Sequence, residues 1–381
     1  MKLHNLTPSP TLALDAKVKA LQSHGQSILN FSLGEPNFST PTNICEAATR
    51  AIYEGLTHYT AVAGLPTLRE AIVEKLWREN KVRYSPAEII VSVGAKMVLY
   101  LAFQVLLNPG DEVLVPTPTW STYIEQIKMA GGIPVFAPLR PPFKLRAVDL
   151  QKHITSHTKV ILLNSPSNPT GAIIDEEELE KIGELAIKNN LIIISDEIYD
   201  KIVYRSMPLS IAALSPEIQS RTIIINGLSK AYAMTGWRVG YAAGPREIID
   251  TMVALQGQTT SNTCSVAQAA AIEALCGTQE SIMYMVQEFA ERRNYLLDAL
   301  KDLTFVPPEG AFYLFVSVEK YLNKKVPSSS QWCEALLEQE RVAVVPGEAF
   351  LYPGYFRMSF AASMKDLKKG VQHITRFIHS L

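Results

Sequence analysis

Cysteine is scarce in this chain and poorly placed for a framework. Cys45, Cys264, Cys276 and Cys333 stand far apart, with no Cys-x-x-Cys pair among them. That spacing argues against a zinc site and a disulfide scaffold, so no metal is expected, and it fits a reducing compartment. Charge of one sign is also lacking. The formal net charge over 381 residues is −1, without an acidic or basic block, which makes nucleic acid and anionic membrane poor partners. No apolar run approaches the roughly 18 residues that span a bilayer. Met1 to Pro8 hold no apolar signal-peptide core, so the expected location is the cytoplasm. No internal repeat is present, and no Gly-x-Gly-x-x-Gly follows the first strand, which disfavours a plain dinucleotide-binding dehydrogenase. What remains is 47% apolar and 19% charged, a soluble globular composition long enough for two domains.

The middle of the chain alternates short apolar runs with helical periodicity. Strands are expected over 88–93, 112–115, 133–136, 160–163, 191–194, 222–225 and 241–243, with helices between them, and the pattern predicts an α/β fold around a mostly parallel sheet. In such sheets ligands bind beyond the carboxyl ends of the strands. That rule sorts the polar residues. Gly94, Ala95 and Lys96, then Trp120, Asn168, Asp196 with Tyr199, and Ser229 with Lys230 each follow a different strand. Five strand exits thereby converge on one crevice. The last third reads as a smaller α/β unit, with strands over 311–316, 342–345 and 355–360 and helices over 329–340 and from 365. The boundary is expected inside a long helix near 275–285, giving a large domain of 41–280 and a small domain of 1–40 with 281–381.

The stretch Asn226 to Gly240 organises the rest. A lysine at the end of a buried strand sits in a sheltered place, and burial favours its neutral amine, the form that attacks carbonyls. Arg238 adds a permanent cation and Ser229 a hydroxyl; with the amides after Gly94 at a helix N-terminus they form a phosphate site. Asp196, a carboxylate at a buried strand end, needs a cationic partner. An aspartate and a lysine so placed are what pyridoxal phosphate requires: one keeps the pyridine nitrogen protonated, the other binds the aldehyde. Asn168 and Tyr199 suit the phenolate oxygen, and Trp120 offers a flat face for a ring. Arg357, among apolar residues, suggests a bound carboxylate. Singly, each has a plain alternative: Trp120 as core, Tyr199 as a packed aromatic, Arg357 as an edge-strand charge. The combination is far more specific than its parts.

The set Asn164 to Gly171, Ser195 to Tyr199, Ser229-Lys230 with Met234 to Gly240, and Phe356 to Ser359 resembles the class I/II aminotransferases of fold type I. The likeness runs along essentially the whole chain, including Ser32 to Phe38 and the span Tyr59 to Gly64, and is nearest to the bacterial aspartate aminotransferase subgroup. It implies a large domain with a mixed, mostly parallel sheet flanked by helices, a smaller α/β domain, and a homodimer with shared sites. It implies pyridoxal 5'-phosphate as cofactor, Lys230 as Schiff-base lysine and proton carrier, and Asp196 as partner of the ring nitrogen. Asn168 and Tyr199 would contact the phenolate and Trp120 the ring. Gly94, Ala95, Lys96, Ser229 and Arg238 would surround the phosphate, helped by Tyr59 of a second subunit. Arg357 would grip the substrate α-carboxylate, Gly34 would sit against the substrate, and the Lys96 side chain would meet a distal carboxylate. The implied reaction is ping-pong exchange between an L-amino acid, aspartate first, and a 2-oxo acid, 2-oxoglutarate first. Aromatic amino acids, alanine, prephenate and a carbon–sulfur lyase reaction are the alternatives. Where some dual-specificity members carry a basic residue, this chain has Thr7, a departure that bears on larger dicarboxylic substrates.

Overall fold

The computed structural model describes residue 8 and residues 10–205 and 207–381. In chain order the strands are β1 (Leu29–Asn30), β2 (Ile89–Ser92), β3 (Glu112–Thr117), β4 (Ile133–Pro138), β5 (Thr158–Asn164), β6 (Ile192–Asp196), β7 (Thr222–Gly227), β8 (Gly240–Ala243), β9 (Thr304–Phe305), β10 (Tyr313–Ser317), β11 (Val342–Ala343), β12 (Val345–Pro346) and β13 (Tyr355–Ser359). Strands β2 to β8 form a seven-stranded sheet in the order β2-β8-β7-β6-β5-β3-β4. Only β8 runs against its neighbours, pairing antiparallel with β2 and β7. The carboxyl ends of β2, β3, β5, β6 and β7 therefore open on one edge of the sheet.

The sheet is covered on both faces because its strands are apolar on both. Ile223 and Ile225 of β7 pack one way, with Val160, Leu162 and Ile194, under the helices Ala95–Leu106 and Arg246–Gly257. Ile224 faces the other way with Val91 and Tyr241, against Leu68, Ile72 and Ala271 of the helices Pro66–Lys75 and Ser265–Cys276. Period-two alternation with apolar residues at every position is the mark of a sheet buried between two helical layers.

The second unit is built on a four-stranded antiparallel sheet, β12-β13-β10-β9. Its core gathers Phe312, Leu314, Phe356 and Met358 with Trp332 and Ile374, and Trp332 stacks on Phe356 at 5.1 Å. Residues 29–31 join this unit: β1 pairs with β11, Leu29 opposite Val342, and Phe31 lies in the same core.

Two details differ from the sequence reading. The expected single strand over 342–345 is split at Val344, so that β11 pairs with β1 while β12 pairs with β13. The expected continuous helix near 275–285 is broken. The chain leaves one helix at Cys276 and enters the next at Glu280, and Gln279 Nε2 caps the free carbonyls of Ala274 and Gly277 at 3.0 and 2.9 Å. Among the described residues no helix is long and apolar enough to cross a membrane.

Candidate active site

The floor of the crevice is the end of β6. Its run Ile192 to Ile194 drives the strand into the core and carries Asp196, 2% exposed, to the opening. Burial pushes this carboxyl up to about 6, against hydrogen bonds from the Tyr123 hydroxyl at 2.6 Å and the Ile198 amide at 3.2 Å. One strand over, β7 ends at Gly227 and delivers Lys230. Burial, then the charges of Arg357 and Arg238, lower its ammonium to about 8, although Glu35 and Asp196 pull the other way. Its Nζ donates to the Gly34 carbonyl at 2.5 Å and lies 6.0 Å from the centre of the Tyr199 ring.

Asn168 follows β5 in a turn tied down by Asn164. The Asn168 amide donates to Asn164 Oδ1 at 2.9 Å, while Asn164 Nδ2 donates to the Asp196 carbonyl at 3.1 Å. Tyr199 shares a hydrogen bond with Tyr313 at 2.8 Å. Arg357, 2% exposed on the inner strand β13, reaches in from the second unit. It donates through Nη1 to Asn168 Oδ1 at 3.0 Å and through Nη2 to the Ser32 carbonyl at 2.7 Å, and it lies 4.3 Å over the Tyr313 ring. Its Nε is buried without an acceptor among the described residues. A guanidinium so held presents unused donors to the crevice, which is what an arriving carboxylate needs.

The rim near β2 is a cradle of donors. Helix Ala95–Leu106 begins after Gly94, which sits at φ 90 and supplies no side-chain cap. The Ala95 and Lys96 amides have no acceptor among the described residues, and a Cβ at Gly94 would collide with the Arg238 guanidinium. A Cβ at Gly240 would overlap the Ala95 amide nitrogen. Only glycines admit this closeness of backbone to cation. Arg238 is exposed and anchored on the carbonyls of Thr235 and Val93 at 3.0 and 3.3 Å. Ser229, next to Lys230 in the chain, is buried. Trp120, half-buried, opens the helix Ser121–Met129, and the exposed Lys96 ammonium stands 4.7 Å over its ring.

A family model described as aminotransferase class I and II matches residues 26–374. The chain belongs to the class I and II aminotransferases. The aspartate aminotransferase of Geobacillus stearothermophilus is 46% identical to it, over 100% of this chain and 98% of that protein. A probable aspartate/prephenate aminotransferase of Aquifex aeolicus is 44% identical, over 100% of this chain and 98% of that one. The solved structure of the Thermus thermophilus aspartate aminotransferase with maleate aligns at a TM-score of 0.95 and 38% identity, covering 99% of this chain and 98% of the other. This aminotransferase therefore has the fold expected of it, and it transfers amino groups.

Of the residues expected at the aminotransferase site, contacts or close charges link Gly34, Gly94, Ala95, Lys96, Trp120, Asn168, Asp196, Tyr199, Lys230, Arg238 and Arg357 at this edge of the sheet, some through Tyr123 and Gly240, and Ser229 precedes Lys230 in the chain. Tyr59 is the exception: it is 89% exposed and makes no hydrogen bond within the described residues. Thr7 lies outside the described residues. Three members were not foreseen. Tyr123 bonds Asp196, Tyr313 bonds Tyr199 and carries Arg357, and the Ser32 carbonyl holds Arg357. Tyr123 stands three residues after Trp120 on a helix, a same-face spacing that could have pointed to it.

Proposed function

We propose that pyridoxal 5'-phosphate works in this crevice and that the enzyme exchanges the amino group of L-aspartate with a 2-oxo acid, 2-oxoglutarate foremost, by a ping-pong cycle. The carrying observation is the donor set itself: an amine of lowered basicity, a buried carboxylate and a free anion cradle, each on a separate strand exit. The set fits the cofactor chemically: the absent side chains of Gly94 and Gly240 let the Arg238 guanidinium and the Ala95 amide pack close together at a helix N-terminus, donors of the kind a phosphate takes, with Ser229 beside Lys230 in the chain. When bound, the cofactor's aldehyde condenses with amines and its protonated ring withdraws electrons from the bonds at the substrate Cα.

The residues divide the remaining work. Asp196 would hold a proton on the ring nitrogen, Asn168 and Tyr199 would hydrogen-bond the phenolate oxygen, and Trp120 would supply the stacking face. Arg357 orients the substrate by its α-carboxylate. Lys230, largely uncharged above pH about 8, would take the proton from the substrate Cα and deliver it two bonds away, to the carbon of the cofactor's aldehyde. Lys96 makes no ion pair among the described residues, so its charge is free for a distal carboxylate such as that of aspartate. The relatives named for aspartate, and the maleate-bound neighbour, support that preference.

Homodimerisation belongs to the same proposal. Tyr59, Tyr53 at 87% and Ile52 at 53% expose large apolar groups on one short span, a surface suited to a second copy. So do the division into 41–280 and 1–40 with 281–381, and a reducing cytoplasm, in keeping with four free cysteines. A half-reaction screen tests the central claim. The cofactor-loaded enzyme is mixed with single amino acids and its absorbance followed, and aspartate should discharge it fastest. Release of ammonia and pyruvate without an added oxo acid would point to a lyase instead.

A further inference from the structure

We infer that Tyr123 is a positioning residue whose hydroxyl clamps Asp196 as the ionised partner of the ring nitrogen. This rests on the cofactor reading above. Asp196 is enclosed by apolar strand residues and has no ion pair among the described residues. Its charge is sustained by two hydrogen bonds, one to each oxygen: Tyr123 on Oδ2 at 2.6 Å and the Ile198 amide on Oδ1 at 3.2 Å. Donors on both oxygens fix the plane of the carboxylate and still leave each oxygen a lone pair for a further donor. The shorter bond is the tyrosine's.

Tyr123 is built for that single task. It is 1% exposed, and Asp196 is the only hydrogen-bond partner its hydroxyl has among the described residues. Burial, then the negative charge of Asp196, holds the phenol well above its ordinary range, so it remains a donor throughout the working pH. The other titratable groups facing Asp196 are Tyr199 on its own turn and Lys230 from the exit of β7, and neither is bonded to it. The Tyr123 ring also meets Trp120 edge to face, at 5.3 Å and 85°. The first turn of one helix therefore sets both the stacking platform and the carboxylate, and a bound ring would be held at its face and its nitrogen by residues three apart.

Removing the hydroxyl alone isolates the effect. Tyr123→Phe keeps the ring and its contact with Trp120 but leaves Asp196 one donor short, so the buried carboxylate should take up its proton about one pH unit higher. Two measurements read this. In the cofactor-free protein, difference infrared spectroscopy follows the carboxyl band against pH, with Asp196→Asn assigning it. In the loaded protein, the dissociation constant for pyridoxal 5'-phosphate is measured from pH 5 to 8, and the pH at which affinity falls should move upward in Tyr123→Phe by the same amount. In an Asp196→Asn background the tyrosine substitution should cause no shift. An unmoved carboxyl band, or a binding shift that persists without Asp196, would overturn the inference. Should wild-type protein fail to bind the cofactor, the cofactor reading falls, while the infrared titration still decides whether Tyr123 governs Asp196.

Discussion

Lys75 is the most deeply buried lysine of the described chain and the one whose loss should be felt most widely. It closes the helix Pro66–Lys75 and is followed by a π-helical turn, Leu76–Asn80, that carries Asn80 back toward it. Only 2% of it is exposed. The Nζ meets Asp200 Oδ2 at 2.5 Å and Asn80 Oδ1 at 2.9 Å, and Asp200 Oδ2 also accepts from Asn226 Nδ2 at 2.9 Å. Burial works against the ammonium, but Asp200 and its neighbours outweigh it and hold its pKa well above the ordinary lysine range. Lys75→Met keeps the length of the side chain and deletes the charge, so Asp200 is left buried without a counterion. Breaking one side of such a pair costs about 3–5 kcal/mol. The retained Asn226 bond places the expectation near the lower end, about 3 kcal/mol, against a total stability of roughly 5–15 kcal/mol. Urea unfolding of the cofactor-free protein, followed by tryptophan fluorescence, should show the earliest transition moved to lower denaturant. Lys75→Met with Asp200→Asn removes both charges and should recover most of the loss. A single variant that loses less than about 1 kcal/mol, or a double variant no better than the single, would refute the argument.

Lys230 should react with aldehyde reagents in the cofactor-free protein with a midpoint near pH 8, since its folded pKa is about 8 and the amine gains nucleophilicity as pH rises through it. Lys230→Ala should lose that labelling and several decades of turnover, yet still retain the cofactor through Asp196, Ser229 and Arg238; wild-type rates would remove Lys230 from the mechanism. Lys96→Ala should raise KM for aspartate and glutamate by about ten- to a hundred-fold, the loss of one charge-assisted contact, with alanine and aromatic amino acids much less affected. An equal loss for all amino acids would place Lys96 on the phosphate instead. Tyr59→Phe should weaken cofactor retention by about 1 kcal/mol, measured by dialysis, and a fully active monomer in sedimentation would exclude a shared site.

The strand exits were legible because burial leaves a strong mark. Ile223 to Ile225 and Ile192 to Ile194 can only be buried strands, and the polar residues that follow them must then share an edge of the sheet. The helix Ser329–Glu340 was equally plain, starting after a serine whose side chain accepts from the Gln331 amide. The split at Val344 was not, because an unbroken apolar run does not say which of two sheets each residue joins. Lys75 was invisible for a similar reason. Nothing near it distinguishes it from the solvated lysines of other helices, and its partner Asp200 lies 125 positions away. Tyr313 was masked by its setting, an aromatic in an apolar strand whose hydroxyl finds Tyr199 only after folding.

The pKa pattern shows what the crevice has to reconcile. Burial pushes an amine down and a carboxyl up, so enclosure by itself shifts both Lys230 and Asp196 toward their neutral forms. The proposed reaction wants the first outcome and not the second: an uncharged amine to take a proton, beside a charged carboxylate to hold one. The structure separates them by what stands next to each. The cations Arg357 and Arg238 add to the effect of burial on Lys230, whereas Asp196 is given hydrogen-bond donors that favour its ionised form. In the proposed reading both arginines also bind ligand, one a carboxylate and one a phosphate. An anionic ligand bound to either would offset that cation's pull on Lys230, so the basicity of the amine is tied to whether the crevice is filled.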